Sequence, residues 1–160
     1  MLHINIICIG KIKESFFRDS IDEYSKRLGK YCSLNITELP DEKIPNNPSE
    51  KEMLIIKEKE GQAILNNIKK DSYVICMDLK GKQFTSEEFA NKIDNISLNS
   101  NSSITFVIGG SLGISQSVLN IANELISFSK MTFPHQLFRV ILLEQIYRAF
   151  KIIKNETYHK

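Results

Sequence analysis

A chain of 160 residues, 42% hydrophobic and 25% charged, holds enough apolar material for one ordinary core and too little length for two. Its net charge of +2 is too small to mark a nucleic-acid binder by overall field alone. Charge interrupts every apolar stretch before it could span a membrane, and Met1-Leu-His-Ile-Asn-Ile-Ile lacks the basic-then-apolar layout of a secretory leader, so a single cytoplasmic domain over residues 1–160 with no membrane partner is expected.

In chain order, Leu2 to Ile9 is Ile-rich, alternates loosely and ends at Gly10, as a strand does. Residues 13–30 are predicted helical: Phe16, Phe17, Ile21, Tyr24 and Leu28 recur at helical spacing, with Arg18, Asp22, Lys26 and Lys30 on the other side. Cys32 to Leu39 reads as a second strand. The proline-containing stretch Asp41 to Pro48 is the longest irregular connection. Ser49-x-x-Glu52 has the form of a capping box opening a helix to about Ile68, and Thr85-x-x-Glu88 opens another. Between them Tyr73 to Leu79 is a third strand. Ser103 to Ile108 is a fourth, apolar enough to be buried on both faces, and a short fifth covers Leu125 to Phe128.

Strands alternating with helices predict an α/β fold, a mostly parallel sheet covered by helices on both sides. Ligands in such folds collect at the carboxyl ends of the strands, which directs attention to the loops after residues 9, 79, 108 and 128. The last predicted helix, Gln136 to Ile153, has twelve apolar residues out of eighteen, more than one core-facing stripe requires. Sharing of that helix with a second subunit is expected. Arg139 falls alone among its apolar positions and needs an anionic or carbonyl partner.

Cys8, Cys32 and Cys76 form no Cys-x-x-Cys pair and read as small core residues. His3, His135 and His159 have no ligand spacing, so no metal is expected. Gly109-Gly-Ser-Leu-Gly113 follows a buried strand and precedes a helix near Ser115; it is neither a dinucleotide fingerprint nor a Walker loop, and on its own reads as a tight turn. The run Phe128-Ser-Lys-Met-Thr-Phe-Pro-His135 puts much apolar surface in a loop, which a flat ring or a partner could cover, with Thr132 a candidate helix cap. From Lys130 onward six Lys or Arg face two Glu, a local excess suited either to phosphate or to a solvated helix face. The ending Tyr158-His159-Lys160 offers a stacking ring, an imidazole and a cation.

Gly10-Lys-Ile-Lys13, Glu23-Tyr-Ser-Lys-Arg-Leu28, Val107-Ile-Gly-Gly-Ser111, Ser127 to His135, Glu144-Gln-Ile-Tyr-Arg-Ala-Phe150 and Tyr158-His-Lys160, taken together and in this order, closely resemble the ribosomal large subunit methyltransferase H family of the SPOUT class. The resemblance spans essentially the whole chain. It implies a C-terminal trefoil knot, a homodimer, and transfer of the methyl of S-adenosyl-L-methionine to N3 of a pseudouridine in 23S rRNA of the assembled ribosome. By position it implies cofactor contacts at Met77, Gly109, Phe128, Ser129, Lys130, Met131, Thr132 and Phe133. Met77 stands where the family commonly has Leu, an exchange that keeps the apolar contact. Arg148, oriented by Glu144 one turn earlier, would hold a phosphate or base carbonyl; Tyr158 and His159 would close over the base, with His159 a candidate proton acceptor. A non-catalytic ribosome-binding factor of the same fold, or a knotted methyltransferase with another RNA target, are the alternatives.

Overall fold

The computed structural model describes residues 1–99 and 101–160. Strands β1 (His3–Ile9), β2 (Ser33–Leu39), β3 (Tyr73–Gln83), β4 (Ser103–Ile108) and β5 (Glu124–Ser127) alternate with helices α1 (Ser15–Leu28), α2 (Glu50–Asn67), α3 (Ser86–Leu98), α4 (Gln116–Ile121) and α5 (His135–Ile153). The strands form one five-stranded sheet in the order β2-β1-β4-β3-β5, and every pairing is parallel.

Period-two alternation divides each central strand between two cores. Ile4, Ile6 and Cys8 of β1, Ile75 of β3, and Ile104, Phe106 and Ile108 of β4 face one side, where Ile21 and Leu28 of α1, Phe89 and Ile93 of α3, and Leu142, Leu143 and Ile146 of α5 cover them. Ile7, Ile9, Val74, Cys76 and Val107 face the other, under Ile64 of α2 and Val118 of α4. The expected burial of the fourth strand on both faces is therefore found. The three cysteines are buried and free.

Both predicted capping boxes form, with Ser49 and Thr85 Oγ accepting from the amides of Glu52 and Glu88 while those carboxylates accept from the cap amides. Each satisfies two otherwise unpartnered donors and stabilises its helix by about 1 kcal/mol.

Four expectations need correction. The third strand does not stop at Leu79 but continues to Gln83, because after an irregularity between Met77 and Lys82 it pairs again with β5. Gly81 makes that approach feasible, since a Cβ there would lie 2.6 Å from the backbone of Ile126. Thr132 caps nothing: Pro134 occupies the N-cap position of α5 with no side-chain bond. Phe16 lies 62% exposed beside Phe17, which alone of the two joins the core. Finally, much of the apolar surface of α5 is used within the chain, where it packs against α1 and α3.

Arg139 has the partners its burial demands. Its Nη1 donates to Glu38 Oε2 at 2.7 Å and its Nη2 to the carbonyls of Gly10 and Ile9 at 2.6 and 3.2 Å. This pair ties the first turns of α5 to the carboxyl ends of β1 and β2.

Candidate functional site

The carboxyl ends of β3, β4 and β5 open into a cavity of about 740 Å³. Three connections and two helices enclose it: Met77 to Lys80 along β3, Ile108 to Gln116 after β4, and Ile126 to Phe133 after β5, with Leu54, Lys57 and Glu58 of α2 and His135 and Phe138 from the start of α5. The size and mixed lining suit a ligand of nucleoside dimensions.

The glycine loop is shaped for close approach. A Cβ on Gly109 would meet Ile114 at 2.7 Å and the Gly113 backbone at 3.0 Å, and Gly113 has φ +92°, which L side chains rarely adopt. The Gly113 amide donates to the Gly110 carbonyl, folding the loop into a tight turn that still leaves it lining the cavity. After β5 the hydroxyl of Ser127 donates to the Ser129 carbonyl, and Ser129 Oγ accepts from the Met131 amide. Phe128, edge-on to Phe89 and tilted on Phe138, anchors that loop in the core, while Met131 stays 74% exposed at the rim.

Met77, Gly109, Phe128, Ser129, Met131, Thr132 and Phe133 all line the cavity; exposed Lys130 does not. His135 closes the run marked from sequence, whereas the lining residues Asp78, Leu79 and Phe138 are not singled out there. Their signal was the general rule that ligands gather beyond strand ends, which marks positions 78 and 79 without naming chemistry. Burial, followed by the nearby Arg139 charge, holds the His135 imidazole below its ordinary pKa.

Arg148, Tyr158 and His159 come together elsewhere. Arg148 donates through Nε and Nη2 to Glu144 Oε1 at 3.1 and 2.6 Å, and the Tyr158 hydroxyl donates to the same oxygen at 3.0 Å. The Arg148 guanidinium lies 4.7 Å from the centre of the Tyr158 ring. Burial and the bond to Glu144 push the Tyr158 hydroxyl up to about 12, so at neutral pH it is a donor.

His159 Nδ1 lies 3.1 Å from Arg148 Nη1 and Nε2 lies 2.6 Å from Glu87 Oε1. A guanidinium can only donate, so Nδ1 accepts; an ionised carboxylate can only accept, so Nε2 carries the proton. The bond to His159 in turn holds the Glu87 carboxyl below its usual range. The terminal segment is thus a folded part of the protein rather than a frayed end. Glu156 helps, accepting from Tyr31 and Lys151 at 2.7 and 2.6 Å. Those bonds also show that three of the six C-terminal cations, Arg139, Arg148 and Lys151, are engaged internally.

None of Arg148, Tyr158 and His159 lines the cavity. Ten residues of helix separate Phe138 from Arg148, which at 1.5 Å per residue is about 15 Å. Among the described residues no cluster of His, Cys, Asp or Glu is arranged to hold a metal, and no helix is long and apolar enough to cross a membrane.

A parallel α/β sheet with its cavity enclosed by the loops after its strands places the protein in the class of open α/β folds that bind ligands at the carboxyl ends of the strands. Within that class, a family described as "Predicted SPOUT methyltransferase" matches residues 2–159. The chain is 67% identical over 159 residues to Ribosomal RNA large subunit methyltransferase H of Clostridium beijerinckii, covering 99% of this chain and 100% of the relative. It is 65% identical, with the same coverage, to the protein of that name from Clostridium botulinum. The chain belongs to the ribosomal RNA large subunit methyltransferase H family of SPOUT methyltransferases. A solved structure titled "The structure of a probable methylase family protein from Haemophilus influenzae Rd KW20" shares the fold with a TM-score of 0.54 at 15% identity, covering 98% of this chain and 70% of that one.

Proposed function

We propose that the protein transfers the methyl group of S-adenosyl-L-methionine to N3 of a pseudouridine in 23S rRNA of the assembled ribosome, in the cytoplasm, as a knotted single-domain homodimer. The observation that carries this reading is the separation of two half-sites: a cavity for a nucleoside-sized donor, and a polar cluster about 15 Å along α5 from the cavity wall. Direct transfer needs reacting atoms about 3 Å apart, so a second copy that brings its cluster to this cavity accounts for both. The relatives' name supports ribosomal RNA as the substrate class. The passage of the chain from β4 over to β5 at the far side of β3 supports the knot.

The lining fits the donor. Apolar Met77, Phe128, Met131 and Phe133 offer faces for an adenine ring and a thioether, and the close-packed Gly109 turn lets backbone groups reach the ligand. Lys130, outside the lining, can reach in only as a long flexible cation. When bound, S-adenosyl-L-methionine supplies the electrophilic methyl. The protein's contribution is alignment of an in-line transfer.

Glu144 fixes the Arg148 guanidinium, which has donors to offer a phosphate or base carbonyl. The Tyr158 ring, edge-on to Tyr147 at 5.0 Å, is braced to stack on a base. N3 must lose a proton as it acquires the methyl. His159 can take it at Nδ1 once Arg148 exchanges that partner for RNA, leaving imidazolium paired with Glu87.

The test is mass spectrometry of 23S rRNA from strains with and without the protein, followed by methylation of the deficient ribosomes with purified protein and labelled donor. One methyl at one pseudouridine is expected; identical rRNA from both strains contradicts the proposal.

A further inference from the structure

Five loops extend from the carboxyl end of the sheet, and of the two that the methyl-transfer reading leaves without a task, after β1 and β2, the first runs from Gly10 to Glu14 into α1. It has no regular structure, yet hydrogen bonds with β2, α1 and α5 hold it. The Gly10 amide donates to the Leu39 carbonyl at 2.6 Å and the Ile12 amide to Glu38 Oε2 at 2.9 Å. Arg18 Nη2 donates to the Ile12 carbonyl at 2.8 Å, and buried Arg139 donates to the Gly10 carbonyl. Ile12 is 6% exposed in the core under α1. Gly10 takes φ +93°, and a Cβ there would sit 3.9 Å from Arg139 Nη2.

A buried arginine with one nitrogen, Nε, lacking a hydrogen-bond partner is a poor way to gain stability; apolar residues of the same volume serve as well or better. What the network secures is position. Its bonds to the Gly10 and Ile12 backbone fix the two residues that flank Ile12, Lys11 and Lys13. Both lysines are exposed, and among the described residues neither makes an ion pair. β1 is the immediate neighbour of β4, so the loop lies beside the glycine loop of the cavity, about 5 Å away at the strand ends.

We infer that Lys11 and Lys13 form an anchoring site for the phosphodiester backbone of the RNA substrate, held in register with the methyl-donor cavity by the Glu38–Arg139 pair. The inference rests on the reading of the protein as an rRNA methyltransferase. Anions are the ligand class because the exposed side chains that flank Ile12 on either side, Lys11 and Lys13, are two cations against the one exposed carboxylate of Glu14, in a chain whose C-terminal cations are half engaged elsewhere. Lysines suit this task, as compact charges that bind phosphate without reading sequence.

Each phosphate contact lowers the slope of log affinity against log salt by about 0.7 for single-stranded and 0.9 for duplex nucleic acid. Ribosome binding by the full-length dimer is therefore to be measured over a salt series for wild type, for the double variant Lys11→Gln, Lys13→Gln, and for the control Lys69→Gln, Lys70→Gln. The control pair precedes β3, at the opposite end of the sheet. The double variant is expected to flatten the slope by about 1.4 to 1.8 and to raise KM for ribosomes about tenfold or more, while affinity for S-adenosyl-L-methionine and the melting temperature stay at wild-type values. The control is expected to keep the wild-type slope. An unchanged slope in the double variant, or an equal loss in the control, overturns the anchor alone. Wild type that binds no ribosomes overturns the functional reading and the anchor with it.

Discussion

The cavity and the C-terminal cluster are built on opposite principles. Around the cavity the backbone does much of the shaping: Gly109 and Gly113 permit a tight turn, apolar side chains form most of the walls, and the charged groups are Lys57, Glu58, Asp78 and Lys80. In the cluster the backbone is an ordinary helix and a short return segment, and side chains do everything, with Glu144, Arg148, Tyr158, His159 and Glu87 bonded in an unbroken series. A surface of the first kind selects a ligand by shape and excluded water. One of the second kind holds oriented donors ready for a polar or anionic group, with only the Arg148–His159 bond to be exchanged when it arrives. The division matches a methyl donor on one side and an RNA base on the other.

Substitutions should separate the two regions. The largest effect is expected from Arg148→Ala, which removes the cation that Glu144, Tyr158 and His159 together hold: single-turnover methyl transfer should fall about 100- to 1000-fold, with the donor's Kd by calorimetry unchanged. A comparable loss of donor binding would merge the two regions. Gly109→Ala should do the reverse. Its Cβ would press on Ile114 and Gly113, and the donor's Kd should rise about tenfold or more while the far-ultraviolet spectrum is kept.

Glu38→Ala leaves Arg139 buried beside two carbonyls with no counter-charge, at a cost of about 3 kcal/mol, near the lower end for breaking such a pair because Glu38 keeps 21% exposure. Thermal denaturation should show Tm lowered by about 10 °C. A smaller signature concerns the cysteines, whose thiols burial pushes up to about 12 for Cys8 and Cys76 and about 11 for Cys32. The folded protein should resist thiol-modifying reagents at pH 8 and react fully in denaturant. Rapid labelling of the native protein would refute that.

The smallest effect is set by His135. Burial and Arg139 place its folded pKa below the ordinary 6.5, so between the two values the unfolded chain binds more protons than the folded one. Stability is therefore retained above pH 6.5 and declines as pH falls through that window. His135→Gln should flatten the acid side of a denaturation profile, whereas an unaltered slope would show that another group sets it.

Much of this architecture is legible in the sequence because it rests on local rules. Period-two strands, two capping boxes and a twofold-buried β4 follow from residues close together in the chain. The return of β3 to β5 through Gln83 does not, since it depends on Ile126 meeting Gly81 across the sheet. The partner of Arg139 is in the same position: the need for one is evident from the helix wheel, but Glu38 lies 101 residues away. The cavity positions were carried by the resemblance and by the run ending at His135, while Asp78 and Phe138 enter only through three-dimensional closure. Glu87 illustrates the limit best. As the second residue of a helix behind a capping box it reads as a favourable charge at a helix start, and only the folded tail reveals His159 at its carboxylate.

The central claim, that donor cavity and RNA-handling cluster meet across two copies, is tested most directly by mixing Arg148→Ala and Gly109→Ala subunits. With the donor held well below the wild-type Kd, Arg148→Ala alone should leave 23S rRNA essentially unmethylated and Gly109→Ala alone should methylate it at about a tenth of the wild-type rate or less. In an equal mixture half of the dimers are mixed, and each of those holds one intact pairing of cavity and cluster, so methylation at the target pseudouridine should return to about a quarter of the wild-type rate. Absence of recovery in a mixture shown by native mass spectrometry to contain mixed dimers would place the whole site within one chain.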